Sequence, residues 1–103
     1  MEYRIKLHQL AEAELAGMYD EIAAAAGPEI ASHYVGGIYE LIRGLKTFAQ
    51  RGTVREGDIP GLRIIGYRRT TSIAFVVDGD VVTVLGVFRR GKNIVPEVLQ
   101  ERF

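Results

Sequence analysis

The chain has 103 residues, 48% apolar and 25% charged, which suits one soluble domain with a single core. It has no cysteine, which excludes disulfides and thiolate metal sites and is compatible with a reducing compartment such as the cytoplasm. Its longest apolar run is far short of a membrane span, and no signal segment precedes Tyr3. Formal net charge is zero, but residues 1–50 carry 4 Lys/Arg against 7 Asp/Glu, and residues 51–103 carry 9 against 6. The asymmetry reads either as a solvated surface or as a basic half that meets an acidic partner or a phosphate backbone.

In chain order, Tyr3-Arg4-Ile5-Lys6-Leu7 alternates apolar and basic residues. That predicts a half-buried strand with Tyr3, Ile5 and Leu7 inward. An alanine-rich helix follows over Leu10 to Ala26. Its stripe is Ala11, Leu15, Met18, Tyr19, Ile22 and Ala26. His8 and Gln9 stand where Ser or Asp would bind the free amides better, so a weak N-terminal cap is expected. Gly27-Pro28 ends this helix and starts another. The second helix is expected to reach Phe48, with the stripe Ala31, Tyr34, Ile38, Leu41, Leu45 and Phe48. Two such stripes on so short a connection predict an antiparallel helical hairpin. Gly36-Gly37 inside a helix costs about 1 kcal/mol per glycine, so a close helix–helix approach, a kink or a partner's backbone should offset it.

Ala49 to Pro60 reads as a polar loop. Three strands in a meander follow. The first carries Leu62, Ile64 and Tyr67, with Gly66 as a candidate bulge. Arg68-Arg69-Thr70-Thr71 connects to the second, Ser72 to Val77, in which Ile73, Phe75 and Val77 share a face. Asp78-Gly79-Asp80 predicts a tight hairpin turn. The third strand, Val81 to Phe88, is apolar at nearly every position and should be central or covered on both faces. It runs into Arg89-Arg90-Gly91-Lys92. Ile94 to Phe103 fits a short last helix with Val98 and Leu99 inward. The order is β-α-α-β-β-β. It implies an α+β fold in one domain, 1–103, with the helical hairpin on one face of a small, mainly antiparallel sheet.

Little catalytic chemistry stands out. His8 and His33 are isolated, so no metal site is expected. No Ser-His-Asp set or phosphate loop appears, no cofactor is implied, and Asp78 and Asp80 read as turn formers. What remains is cationic. Arg63 lies on the first meander strand, and Arg89, Arg90 and Lys92 close the last. Guanidinium groups suit phosphate and carboxylate recognition, and a rigid strand end is a good place to present them. Arg68 and Arg69 read as a solvated edge.

Taken together, YRIKL, AEAEL, GPEIASHYVGGIYELIRGL, PGLRIIGY and IAFVVDGDVVTVLGVFRRGKN give the chain its likeness. It resembles the ParE branch of the RelE/ParE toxin superfamily of bacterial type II toxin–antitoxin modules, over essentially its whole length. It departs from the family pattern at His8, where Ser or Thr is usual, and at Phe75, where the strand usually carries tyrosine. Phe88 or Arg89 stands at the family's usual histidine.

The resemblance implies a cytoplasmic toxin, of the kind linked to plasmid stabilization, neutralised by a ParD-like antitoxin. Two activities occur in the superfamily. RelE-type toxins cut mRNA on the ribosome with several Lys and Arg residues and often a late tyrosine. Carried over by place, Arg63 and Lys92 keep a cation, while Ile65, Ser72 and Pro96 hold the remaining positions. A ribonuclease here would lean on Arg63, Arg90 and Lys92. ParE-type toxins instead bind and inhibit DNA gyrase, trapping it on cleaved DNA without bond-breaking of their own. The missing ribonuclease groups and the long helices favour the second activity, with Arg63, Arg89, Arg90 and Lys92 as target-binding residues and no catalytic ones. A non-toxic relic that keeps only the antitoxin interface is a third reading. The antitoxin is expected to lie as an extended or helical segment along the exposed side of the hairpin and across the sheet edge. Tyr19, Tyr34 and Tyr39 are candidate antitoxin contacts, the alternative being that at least two of them simply pack between the helices.

Overall fold

The computed structural model describes residues 2–57, 59–89 and 96–102, with the backbone alone for Pro96 and Glu97. Arg90, Gly91, Lys92 and Ile94, expected to form the cationic cluster and open the last helix, lie outside the described residues. The alternating start forms β1 (Arg4–Leu7), with Tyr3, Ile5 and Leu7 packed on the core as expected. The chain then turns into α1 (Gln9–Ala26) at His8. The expected weak cap is corrected here. His8 is extended, with φ −62° and ψ 145°, and its Nδ1 accepts the Leu10 N–H at 3.1 Å, as a Ser or Asp oxygen would.

Gly27, at φ 99°, closes α1 by donating its N–H to the Ala23 carbonyl at 2.9 Å. Its own carbonyl accepts from Ala31, and Pro28 occupies the first turn of α2 (Pro28–Gly44). One residue therefore reverses the chain into the expected hairpin. Ala11, Leu15 and Met18 of α1 face Ala31, Val35, Ile38 and Ile42 of α2 and the sheet below. Two stripe assignments are corrected. Ala26 is exposed at the end of α1, and Phe48 is 70% exposed because α2 ends at Gly44. The early end follows from the next contacts: the Lys46 carbonyl accepts the Tyr3 N–H at 2.8 Å, and Ala49 turns into the core. Leaving the helix there shifts the buried stripe from Leu41 toward Ile42 and leaves Phe48 outside.

The sheet runs β1-β5-β4-β3-β2, where β2 is Thr53–Val54, β3 is Leu62–Tyr67, β4 is Thr71–Asp78 and β5 is Val81–Arg89. Only β1 runs parallel to its neighbour, pairing Arg4–Leu7 with Val81–Val84. The other neighbours are antiparallel. β2 falls within the stretch expected to be a polar loop, and its two residues pair with Ile64 and Arg63. β4 and β5 meet at Asp78↔Val81 through a two-residue turn, where Gly79 takes the positive φ, 60°, that the first central position of such a hairpin requires.

As expected, β5 lies between two strands with both faces covered. Val82, Val84 and Val87 join Ile73 and Phe75 beneath the helical hairpin. Leu85 and Phe88 join Ile59, Leu62, Ala74, Val76 and Leu99 on the opposite face. Leu99 comes from α3 (Pro96–Gln100), so the sheet is covered from both sides. Val98, expected inward with Leu99, is 37% exposed. The bulge is also corrected. Gly66 pairs regularly with Ser72, while β5 pairs Gly86 with Ala74 and Val84 with Phe75, leaving Leu85 as the extra residue. That extra residue lets a strand with apolar side chains nearly throughout feed two cores at once.

Candidate functional site

Arg89 closes β5 opposite Thr71, on the helical side of the sheet, and its guanidinium reaches Glu21 of α1 at 3.4 Å. Its side chain remains 42% exposed, so the pair holds the cation at the surface rather than hiding it. The strand beneath is buried on both faces, which gives Arg89 a stiff base. Arg90 and Lys92 lie outside the described residues.

Arg63 is half-buried on β3, between Val54 and Phe75. Alternation places it on the helical side with Ile65 and Tyr67. It is not brought to Arg89. The row through Arg63 runs to Phe75 and Val84, while the row through Arg89 runs to Thr71 and Tyr67. Four residues along and two strands across separate the two by roughly 16 Å. A ligand touching both must be large, on the scale of a protein surface or a nucleic-acid backbone. Of the places carried over from the ribonuclease pattern, Ile65 is packed against the main core, and Ser72 is half-buried opposite Phe88. Among the described residues, no group of three or more His, Cys, Asp or Glu could hold a metal ion.

The three candidate tyrosines have different surroundings. Tyr34 pins α2 to the β3–β4 turn. Its hydroxyl bonds Thr71 Oγ1 at 2.8 Å and also Thr70 Oγ1, and its ring meets Tyr67 edge to face at 5.3 Å. The buried Thr71 hydroxyl is satisfied in this way. Tyr19 is half-buried against the core, and Tyr39 is 40% exposed. Packing thus absorbs Tyr34 and most of Tyr19, and Tyr39 offers the most surface.

The two glycines of α2 also differ. A Cβ on Gly36 would meet nothing within 4 Å, whereas one on Gly37 would fall 1.8 Å from the Tyr67 hydroxyl. The close helix–helix approach expected at this pair is corrected: the near neighbour is Tyr67 of the sheet, and it stands over Gly37 alone. Beside Tyr67, Arg68 and Arg69 take positive φ values of 50° and 62°, and the Thr70 N–H closes the turn on the Tyr67 carbonyl. Arg68 lies 5.3 Å over the Tyr67 ring. With Glu29, Ile30, His33 and Tyr34 it lines a shallow groove of about 230 Å3.

One cluster has no signal in the sequence. Glu14 Oε1 accepts the Val87 N–H at 3.0 Å and Arg102 Nη1 at 2.9 Å. Arg102 Nη1 also donates to the Leu85 carbonyl at 3.1 Å, and the guanidinium stands 5.4 Å over the Phe88 ring. The Glu14 and Arg102 side chains are 25% and 10% exposed. They are 88 residues apart, and only the fold brings them together. Beside them, α1 and β5 enclose a groove of about 460 Å3 that runs past Gly17 and Met18 to Glu21 and Arg89.

The architecture is a helical hairpin over a mixed five-stranded sheet, with Arg89 closing the strand second from one edge. The chain matches E. coli toxin RelE, a mutant in the free state, at TM-score 0.66 and 17% identity over 99% of this chain and 95% of that one. It matches the RelBE2 toxin–antitoxin complex from Mycobacterium tuberculosis at TM-score 0.63 and 18% identity, over 87% and 100%. Those likenesses show the fold. A chain of the chromosomal ParDE toxin–antitoxin system from P. aeruginosa is nearer, at TM-score 0.74 and 30% identity over 85% of this chain and 96% of that one. The family model for the ParE toxin of the type II toxin–antitoxin system parDE matches residues 5–94. A comparison with curated protein sequences found no match. The chain belongs to the ParE toxin family and is the toxin component of a type II toxin–antitoxin system.

Proposed function

We propose that this toxin inhibits DNA gyrase by binding, in the cytoplasm, and that a cognate ParD-like antitoxin neutralises it. The observation that carries the reading is the ParE family match over residues 5–94, joined to a relative from a ParDE system at 30% identity. The geometry supports a binding role. Arg89 is held at the end of a rigid strand, and the half-buried Arg63 stands well away from it. Cations spread in this way suit a broad anionic surface, such as gyrase with its bound DNA, more than one reacting phosphate. No catalytic residue is assigned.

A gyrase supercoiling assay with the purified chain tests this reading. The expected result is loss of supercoiling with accumulation of cleaved DNA, reversed by the antitoxin. Unimpaired supercoiling at large toxin excess overturns it, and codon-positioned cuts in mRNA on translating ribosomes replace it with the RelE-type activity.

For the antitoxin, the α1–β5 groove and the exposed Tyr39 supply the apolar and polar contacts that a segment folding on binding needs. Acidic antitoxin residues pair with Arg89 and the cations that follow it. Arg90→Glu is expected to weaken both antitoxin and gyrase binding in calorimetry and the supercoiling assay, and unchanged values in both would remove the cluster from the interface.

A further inference from the structure

β1 stops pairing with β5 at Leu7↔Val84, because the chain turns into α1 at the next residue. Among the described residues, the last backbone bond on that side is His8 N–H to the Val84 carbonyl, at 2.9 Å. Beyond it the edge of β5 continues for Leu85–Arg89 without a strand of β1 beside it. The Leu85 carbonyl and the Val87 N–H both face that side, since each bonds a side chain there. A carbonyl at one residue and an N–H two residues later are the two groups that one residue of a parallel neighbour would satisfy. Here Arg102 Nη1 supplies the donor, Glu14 Oε1 supplies the acceptor, and the two bond each other. The ion pair thus stands in for a missing strand residue.

Stability is a poor reason for such an arrangement. A buried ion pair gains little over apolar packing, and Arg102 Nε is buried with no partner among the described residues. An uncovered edge, by contrast, is a standing hazard. β5 is apolar on both faces, and an open strand of that kind pairs with any matching edge. Every copy of the chain carries the matching edge.

We propose that the Glu14–Arg102 pair guards the β5 edge against a second copy of this chain. A two-fold axis at Val87 sets Val87 against its own symmetry mate, N–H to carbonyl in both directions. The same axis sets each Arg89 N–H against the other copy's Leu85 carbonyl. It also brings Arg89 of one copy beside Glu14 of the other, so a Glu14 that has lost Arg102 regains a cation. The pairing is self-complementary in backbone bonds and in charge, and Arg102 occupies its first position.

The test uses the full chain and Arg102→Met, which keeps an apolar stem over Phe88 and removes the donor. Light scattering across a concentration series should show wild type at the mass of one chain. Arg102→Met should shift to the mass of two as concentration rises, with the Val87 amide slowed in hydrogen exchange on dimerisation. Adding Arg89→Gln to Arg102→Met should return the mass to one chain. If Arg102→Met fails to fold by circular dichroism, Arg102→Leu removes the same donor with a shorter stem, and its dimerisation supports the guard equally. A folded variant of either kind that stays at one chain's mass to its solubility limit overturns the proposal, as does a wild-type chain that already dimerises through Val87.

Discussion

Gly36 and Gly37 are adjacent in one helix, and replacing each by alanine should move stability in opposite directions. Either replacement removes the backbone entropy that glycine loses in a helix interior, a gain of about 1 kcal/mol. At Gly36 nothing lies within 4 Å of the new methyl group, so the gain is kept. At Gly37 the methyl group would lie 1.8 Å from the Tyr67 hydroxyl, 2.8 Å from its ring carbon Cζ and 3.3 Å from Cε1. The ring is the far end of a side chain, but it is braced edge-on against Tyr34, which is itself tied to Thr70 and Thr71. Moving it costs an overpacking penalty of about 1–3 kcal/mol. Gly37→Ala should therefore lie from near neutral to about 2 kcal/mol below wild type, and about 1–3 kcal/mol below Gly36→Ala. For a domain of this size that gap is a difference in Tm of several degrees, at roughly 4–8 °C per kcal/mol. Denaturant titration and thermal melts of both variants measure it. Tyr67→Leu in the Gly37→Ala background should recover part of the loss, because the hydroxyl and ring edge that clash are gone. A Gly37→Ala chain as stable as Gly36→Ala would refute the claim that Tyr67 is seated on Gly37.

Tyr34→Phe removes both hydroxyl bonds and leaves the buried Thr71 oxygen unpaired, a loss of about 1–3 kcal/mol in urea unfolding. His8→Ala removes the N-terminal side-chain cap on α1 and should cost about 0.5–2 kcal/mol, with much of it returned by His8→Ser. Arg89→Ala breaks an exposed pair with Glu21, so its stability should fall by less than about 1 kcal/mol. Gyrase inhibition by the same variant should drop clearly, and unaltered inhibition would take Arg89 out of the target surface.

Much of this molecule can be read from local pattern. Alternation at Tyr3–Leu7, the three-and-four stripes, Gly27-Pro28 and the Gly79 turn each satisfy a rule that acts within a few residues. They determine the element order, the helical hairpin and the meander, and the order of the pieces carries the likeness to ParE toxins. Where the reading missed, a distant contact had decided the local outcome. α2 ends at Gly44 because Lys46 must meet Tyr3, and Phe48 is exposed as a result. Thr53–Val54 becomes a strand because β3 offers it an edge. His8 is the exception: it caps α1 locally, through a ring nitrogen that composition rules do not credit.

The candidate site divides in the same way. A cation at the end of a buried strand is visible in the order VVTVLGVFRR, since that much depends on neighbours in the chain. That Arg63 stands two strands and four residues from Arg89 depends on sheet order and register, which no local pattern contains. The placement of β1 parallel to β5, and the meeting of Glu14 with Arg102 across the gap it leaves, were decided by tertiary structure alone. An unpaired backbone edge takes whichever donor and acceptor the finished fold puts within reach, and reach is a property of the folded chain rather than of its residue order.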